Sequence, residues 1–396
     1  MGVPAPPGRR VLIIGGRQDV AVHISQGFDS GSIEVVSAES PAAIRLRLRP
    51  DNAASFCQWF HFRVHDVAGV PLRMVFENTA EAAYPDGWPD YHAVASYDRR
   101  EWFRVPGTRF ENGRLIIEHT PEHSNIYYAY FEPYSHDRHL DLLGQAQMSP
   151  HARVQTLGAT VDGRSVDCVV VGEPLPERKP VWIIARQHPG ETMAEWFVEG
   201  LLTRLLDGAD PLARRLRERA CLYVVPNMNP DGAARGNLRT NAAGANLNRE
   251  WMAPTAARSP EVLCVREHME ATGCALFLDI HGDESLPYVF IDGSQMVPGV
   301  PQNMAARQAV FLSALAEASP DFQTDVGYTP DRFGEEMLTL ASKWVAHRFG
   351  CLSLTLEMPF KDNRLLPDAR VGWNGERSKR LGAAMLQPVL RDLLSD

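Results

Sequence analysis

The sequence contains no apolar run that approaches the roughly 20 residues that an α-helix needs to cross a bilayer. It shows neither an internal repeat nor a low-complexity tract. The formal net charge of -9 is spread along the chain without an acidic or basic block, which argues against a nucleic acid or a membrane surface as a partner. With 396 residues, of which 44% are hydrophobic and 22% charged, the chain is typical of a soluble globular protein with two or three packed domains.

Cysteine is scarce, and its few positions are isolated. None of the six forms a Cys-x-x-Cys pair, and each lies inside an apolar stretch: Cys57, Cys168, Cys221, Cys264, Cys274 and Cys351. This pattern predicts buried free thiols in a reducing compartment. The chain starts MGVPAPPGRRVLIIGG, where the apolar segment VLII is too short for the core of a signal peptide. We therefore expect a cytoplasmic protein.

Short alternating segments fill the first third of the chain. In AIRLRLRP (43–50) isoleucine or leucine alternates with arginine, so one face of this strand should be buried and the other wet. Similar segments are SIEVVSA, QWFHFRVHD, PLRMVFEN, RLIIEH and NIYYAYFEP, separated by turn clusters such as TAEAAYPDGWPD. They predict an all-β sandwich. We assign this domain to residues 21–148, after an N-terminal extension of residues 1–20.

From about residue 150, apolar strands alternate with helical stretches of more than ten residues. VWIIARQ (181–187) leads into ETMAEWFVEGLLTRLL, and ALFLDIH (275–281) follows EVLCVREHMEAT. CLYVVPN (221–227) and LSLTLE (352–357) are further strands of the same kind. Residues 149–396 are therefore predicted to form an α/β domain with a largely buried sheet flanked by helices.

Polar side chains gather where these four strands end. The residues capable of chemistry there are His188, Glu191, Asn227, Asn229, Asp279, His281 and Glu357. Because sites in open α/β sheets form at the carboxyl ends of strands, these side chains are expected to converge.

A His-x-x-Glu pair such as His188 and Glu191 presents an imidazole nitrogen and a carboxylate across a strand-to-helix turn. With one further histidine it would supply the three protein ligands of a catalytic zinc, whose fourth position stays open. Taken alone the pair is weak evidence for a metal, because such spacing also occurs by chance at a solvated helix start, and a strand-end histidine such as His281 usually satisfies a hydrogen bond.

The order of five motifs carries more weight than any one of them. HPGE, NPDG, GNLRTNAAGANLNREW, DIHGDE and TLEMPF follow one another along the chain, and this order resembles the zinc metallocarboxypeptidases, most closely their cytosolic branch. FDSGSIEVVS, QWFHFRV and YYAYFEPYSHDRHL resemble the β-sandwich that precedes the enzyme domain in that branch. The resemblance implies a mixed sheet of the carboxypeptidase kind and an enzyme that cleaves the C-terminal peptide bond of peptides or proteins.

The resemblance also implies a role for each matched residue. His188, Glu191 and His281 would hold one zinc per chain, and Glu357 would be the general base that activates the zinc-bound water. Arg239 would polarise the scissile carbonyl. The substrate's terminal carboxylate would be gripped by Asn248 and Arg249, since a forked guanidinium suits a carboxylate.

Several positions stay open. Asp279 shares a strand face with His281 and would either steady the ligand or form a structural salt bridge. Tyr328 is the only candidate for the tyrosine that donates a proton in the family. Arg332 is the only candidate for the basic residue that binds the substrate side chain. His136 and His139 also have metal-like spacing, but the family places this segment at a domain junction. Where eukaryotic members of the branch continue His-Gly-His, this chain has Asp283 and Glu284 after His281-Gly282, so the branch's glutamate preference cannot simply be transferred.

Two other functions compete with the carboxypeptidase hypothesis. A zinc amidohydrolase that deacylates small acylated amino acids would share the zinc fold, although the preceding β-sandwich argues against it. A non-catalytic binding module would not need ligands, base and arginines together. The motifs specify neither the physiological substrate, nor the preferred C-terminal side chain, nor the oligomeric state.

Overall fold

The computed structural model describes residues 21–329 and 332–394. The predicted N-terminal extension, residues 1–20, lies outside the described residues. Within them the chain forms a β-sandwich followed by an α/β domain with a mixed sheet, which confirms the predicted fold class. No helix among the described residues is long and apolar enough to cross a membrane. All six cysteines are buried and free, as predicted.

The sandwich consists of two five-stranded sheets whose strands interleave along the chain. In chain order the strands are β1 (His23–Ser25), β2 (Glu34–Ser37), β3 (Ile44–Arg47), β4 (His61–His65), β5 (Leu72–Phe76), β6 (Val94–Ser96), β7 (Phe103–Arg104), β8 (Gly107–Glu111), β9 (Arg114–His119) and β10 (Ile126–Ala129). One sheet has the order β1-β4-β10-β6-β7 and the other β2-β3-β5-β9-β8. All strand pairs of these sheets are antiparallel except β3 with β5.

Alternation along the strands builds the sandwich core. In β3, Ile44 and Leu46 are fully buried while Arg45 is exposed, so the predicted two-faced strand is confirmed. Phe62 of one sheet lies against Phe76 of the other, with ring centroids 6.3 Å apart. The apolar rows of the two sheets therefore meet in one core.

A seven-stranded mixed sheet forms the centre of the second domain. Its strands are β11 (Ala152–Ala159), β12 (Ser165–Val171), β13 (Lys179–Ala185), β14 (Ala220–Val225), β15 (Leu276–Asp283), β16 (Phe290–Asp292) and β17 (Leu352–Pro359), in the order β11-β12-β14-β13-β15-β17-β16. The four strands β14, β13, β15 and β17 run parallel, and the other three pair antiparallel at the two sides.

Nine α-helices are assigned within the described residues. They are α1 (His136–Gln147), α2 (Met193–Leu205), α3 (Pro211–Arg219), α4 (Pro230–Arg235), α5 (Pro260–Thr272), α6 (Met304–Ala318), α7 (Ala341–Phe349), α8 (Gly375–Ala384) and α9 (Leu386–Leu394). Short 3-10 helices lie at Pro41–Ala43, Thr79–Glu81, Pro85–Gly87, Leu247–Arg249 and Glu335–Thr339.

The large sheet is buried on both faces, which explains its continuous apolar strands. In β13, Val181 and Ile183 contribute to one hydrophobic cluster, while Trp182 and Ile184 contribute to the cluster on the opposite face. Helix α2 covers the first face and packs closely on α8, where a Cβ added at Gly200 would lie 2.0 Å from the Lys379 carbonyl oxygen. Only glycine permits that approach of two helix backbones.

Sheet register places the chemistry of the predicted site at one edge. His281 of β15 pairs with Glu357 of β17, and Ala185 at the end of β13 pairs with Ile280. The segment after β13 therefore emerges beside both residues. The last sandwich strand ends at Ala129 and the large sheet begins at Ala152, with α1 between them; the predicted domain boundary at residues 148 and 149 stays a prediction.

Candidate metal centre and active site

Three predicted ligands meet at this edge. One ligand atom from each of His188, Glu191 and His281 lies within 4.8 Å of the others, and all three residues are buried. The Nδ1 atoms of the two imidazoles lie 3.2 Å apart. Each is close to a different oxygen of the Glu191 carboxylate, at 2.6 Å for His188 and 2.7 Å for His281. Four donor atoms thus converge on one buried point.

A strained, buried arginine shapes the turn that carries His188 and Glu191. Arg186 follows β13 with a φ of 58°, a left-handed conformation that is unusual for a non-glycine residue. Its guanidinium donates to the carbonyl oxygens of Pro189 and Tyr134 and pairs with Glu195 at 2.6 Å. This ion pair, buried on both sides, holds the chain in a conformation that it would otherwise avoid.

The outer nitrogens of the two histidines are also held. His188 Nε2 lies 3.0 Å from Asn246 Oδ1, and His281 Nε2 lies 2.9 Å from Asp279 Oδ1. Gln187 donates to the second oxygen of Asp279 at 2.8 Å. Such partners fix the orientation of a ligating imidazole and direct its inner nitrogen towards a metal. Of the two roles left open for Asp279, the contact with His281 favours the steadying one.

The donor set fits a cation of the zinc type. Two imidazole nitrogens and one carboxylate are its usual ligands. Burial opposes ionisation of Glu191, yet the adjacent His188 and His281 hold its pKa below the usual range. The pKa of His281 is raised despite its burial, because Asp279 and Glu191 flank it. Two carboxylates around one imidazole give this point a negative character that a cation would neutralise.

No other metal-like group of histidine, cysteine and carboxylate side chains occurs in the part of the chain that the structure describes. His139, one of the two histidines with metal-like spacing, instead contacts Glu195 through Nδ1 at 2.6 Å, and His136 stacks on it. This pair lies at the start of α1, between the two domains.

Glu357 approaches the same cavity from β17. It is 7% exposed, and its Oε2 atom has no hydrogen-bond partner among the described residues. Burial raises the pKa of this carboxyl well above its usual value, and the carboxylates of Glu191 and Asp283 add to the effect. The Tyr328 hydroxyl lies 3.3 Å from Glu357 Oε1 and donates to Asp283 at 2.7 Å. Tyr328, the candidate tyrosine, therefore lies close to Glu357, the predicted base.

The predicted cations lie across the cavity. Arg239 reaches from the loop after α4, with Nη1 4.0 Å from the Glu191 carboxylate. Asn248 and Arg249 belong to the short helix Leu247–Arg249 and line the same cavity. The amide oxygen of Asn248 accepts from the backbone of Ala341 at 2.8 Å, which leaves its amide nitrogen for a ligand.

The cavity has a volume of about 340 Å³ and is bounded by both domains. Sequence reasoning missed Tyr84, a sandwich residue in its wall, and Lys343, a buried cation in its wall that pairs with Asp292 at 2.8 Å. Arg332, the candidate for binding the substrate side chain, is exposed and does not line the cavity. Nothing in the segment ASKWVAHRF, which contains Lys343, distinguishes this lysine from a surface residue of a helix.

Comparison with known proteins identifies a family for each of the two domains. A family model described as the cytosolic carboxypeptidase N-terminal domain matches residues 24–131, and the zinc carboxypeptidase model matches residues 140–375. An uncharacterized protein of Zymomonas mobilis is 46% identical over 363 residues, which cover 92% of this chain and 94% of that protein. Cytosolic carboxypeptidase 6 of Mus musculus is 28% identical over 344 residues, which cover 78% of this chain and 61% of that protein.

Solved structures extend the likeness to the whole fold. The metallo-carboxypeptidase from Burkholderia cenocepacia is 57% identical with a TM-score of 0.93, covering 95% of this chain and 100% of that chain. The metallo-carboxypeptidase from Pseudomonas aeruginosa, solved in complex with (2-guanidinoethylmercapto)succinic acid, is 44% identical with a TM-score of 0.90, covering 94% of this chain and 100% of that chain. With the family model spanning more than half of its length and relatives of this similarity, the chain belongs to the zinc carboxypeptidase family, preceded by the N-terminal domain of the cytosolic carboxypeptidases.

Proposed function

We propose that the protein removes the C-terminal residue of peptides or proteins, with one zinc per chain held by His188, Glu191 and His281. The observation that carries this proposal is the convergence on one cavity of these three side chains, two arginines and the buried Glu357 carboxylate, whose Oε2 has no hydrogen-bond partner among the described residues. A metal-dependent enzyme that removes C-terminal residues can use each of these parts: a metal site, a base, a cation for the carbonyl and a cation for the terminal carboxylate.

Zinc in this site would supply Lewis acidity towards the scissile carbonyl and the attacking water. Glu357 acts as the general base: its free Oε2 atom takes the proton of the attacking water and then delivers it to the leaving amine. Its position suits this role, because Glu357 lines the same cavity as the three predicted ligands and its Oε2 has no hydrogen-bond partner among the described residues. The enclosed position of Glu357 keeps bulk water from competing for the proton.

Arg239 and Arg249 divide the anionic groups of the substrate between them. The Arg239 guanidinium lies beside the ligand carboxylate, where it can stabilise the negative charge that develops on the carbonyl oxygen. Arg249 lies further towards solvent on the same wall. With the amide nitrogen of Asn248 it would grip a terminal carboxylate, which makes the enzyme an exopeptidase.

The experiment compares kcat/KM for matched peptides that end in a free carboxylate or in an amide. Wild type should strongly prefer the acid, because a charge-assisted hydrogen bond contributes about 1.5 to 3 kcal/mol. Arg249→Ala should reduce that preference, whereas Arg239→Ala should slow both peptides alike. Equal wild-type rates on acid and amide would contradict the proposal, and hydrolysis of acyl-amino acids in preference to both would favour the amidohydrolase.

A further inference from the structure

The loop that carries Arg239 is anchored by a carboxylate from the other domain. Asp51, in the sandwich segment after β3, is 5% exposed. Its Oδ1 accepts the backbone N–H of Leu238 at 2.6 Å, and its Oδ2 accepts the backbone N–H groups of Arg239 and Thr240 at 2.8 and 2.9 Å. The Thr240 hydroxyl adds a fourth hydrogen bond at 3.0 Å. One carboxylate thus binds three consecutive residues of the loop.

The flanks of the loop also rest on the sandwich. Asn237 donates its side-chain amide to Asn52 at 2.6 Å. Gly236 and Gly244, on either side, have positive φ angles, and a Cβ at either would lie 2.6 Å or less from a sandwich carbonyl oxygen. The loop backbone therefore approaches the sandwich backbone closely at both glycines, which places its start and end against the domain that carries Asp51.

The Arg239 side chain itself has weaker restraints. Among the described residues its guanidinium makes no hydrogen bond, and its one ion-pair contact is the 4.0 Å approach to Glu191. The rings of Tyr84 and Phe56, both from the sandwich, lie 5.3 and 5.9 Å from the guanidinium carbon. Because the head group must stay free for the substrate, its position depends on where the backbone of Arg239 is held.

We propose that Asp51 is a positioning residue for Arg239, so that the sandwich domain contributes to catalysis by fixing the loop that carries this arginine. This inference rests on the role proposed above for Arg239. A misplacement on the order of 1 Å in such a group can cost about 10²-fold in rate, and Asp51 is the residue whose loss would permit it.

The test is a double-mutant cycle on kcat/KM with Asp51→Asn, Arg239→Ala and the combined variant, each checked for zinc content and melting temperature. An asparagine has the same shape but offers one oxygen, and it turns an N–H group towards the loop's own donors. Asp51→Asn should lower kcat/KM about 10- to 100-fold with zinc retained. In the Arg239→Ala background the same change should have little further effect, because coupled residues are not additive.

Thr79→Val is the matched control. Thr79 is fully buried in the sandwich, and its hydroxyl donates to Gly113 and accepts from Leu115, far along the chain from the Arg239 loop. This variant should lower the melting temperature and leave kcat/KM at the wild-type level. If Asp51→Asn does not fold, Thr240→Val removes the hydroxyl donor alone and should show a smaller loss with the same coupling to Arg239.

The outcomes distinguish the role of Asp51 from the role of Arg239. Full additivity of Asp51→Asn and Arg239→Ala would overturn the positioning role, as would an Asp51→Asn variant that behaves like Thr79→Val. A wild-type rate in Arg239→Ala alone would overturn the proposed role of Arg239 and the present inference with it. A coupled loss at constant zinc content would support both.

Discussion

The two walls of the active-site cavity are built in different ways. On the metal side, His281 and Glu357 lie on adjacent strands in register, and the turn with His188 is held by the buried pair of Arg186 and Glu195. On the opposite side, Arg239 lies on a loop whose backbone is held by Asp51 from the sandwich. One wall is supported by its own sheet and the other by a second domain.

This difference separates two demands on the enzyme. A metal site needs ligand atoms placed with little tolerance, and paired strands provide such precision because each residue is fixed by its ladder. A cation that stabilises developing charge must keep its head group free for the substrate, so its restraint has to act on the backbone.

The largest effect is expected on the metal side from His281→Ala. Two remaining ligands should not retain zinc, and turnover should be lost with it. The zinc content of the purified variant is measured by atomic spectroscopy, and its turnover is measured in parallel. His61→Ala, which removes a buried histidine of the sandwich, should keep both zinc and activity. Full zinc occupancy in His281→Ala would exclude this ligand set.

Glu357→Gln should retain zinc and fold but lose about 10²- to 10⁴-fold in kcat, since an amide cannot accept the proton of the attacking water. Glu132→Gln is a matched change: burial raises the pKa of Glu132 to about 7, and this residue does not line the cavity. Its kcat should equal that of wild type. A Glu357→Gln enzyme with wild-type turnover would show that the base is another residue.

Asp279→Asn tests the support behind the metal ligand. The variant keeps the shape of the side chain but removes the charge that lies 2.9 Å from His281 Nε2. Zinc affinity should fall about 10- to 100-fold, as is typical when a group behind a ligand is lost. Competition with a chelator measures the affinity, and excess zinc should restore most of the activity. An unchanged zinc affinity would mean that Asp279 contributes only to the stability of the fold.

The two walls also differ in how far the sequence predicted them. The fold class and the positions of the metal-side residues followed from apolar strands that end in polar side chains, and from the order of five motifs. The Asp51 contact had no such signal, because it joins residues 187 to 189 positions apart through backbone donors, which no side-chain pattern encodes. The same limit applies to the buried Lys343, whose partner Asp292 is met only when β16 and α7 come together.

The smallest effect is expected from Tyr328→Phe, which acts between the walls. The hydroxyl donates to Asp283 and lies 3.3 Å from Glu357 Oε1, so its loss should leave the base less well oriented. Although Tyr328 is 48% exposed, partial desolvation of its hydroxyl and the charges of Glu357 and Asp283 raise its pKa, so the group stays a donor at neutral pH. If the hydroxyl only orients Glu357, one net hydrogen bond of about 0.5 to 1.5 kcal/mol is lost, and kcat should fall about 2- to 10-fold with KM little changed.

A loss of 10²-fold or more would contradict this and assign to Tyr328 the proton transfer that we give to Glu357. Tyr97→Phe, which removes a sandwich hydroxyl in contact with the backbone of Glu122, controls for the loss of a phenol outside the cavity and should leave kcat unchanged.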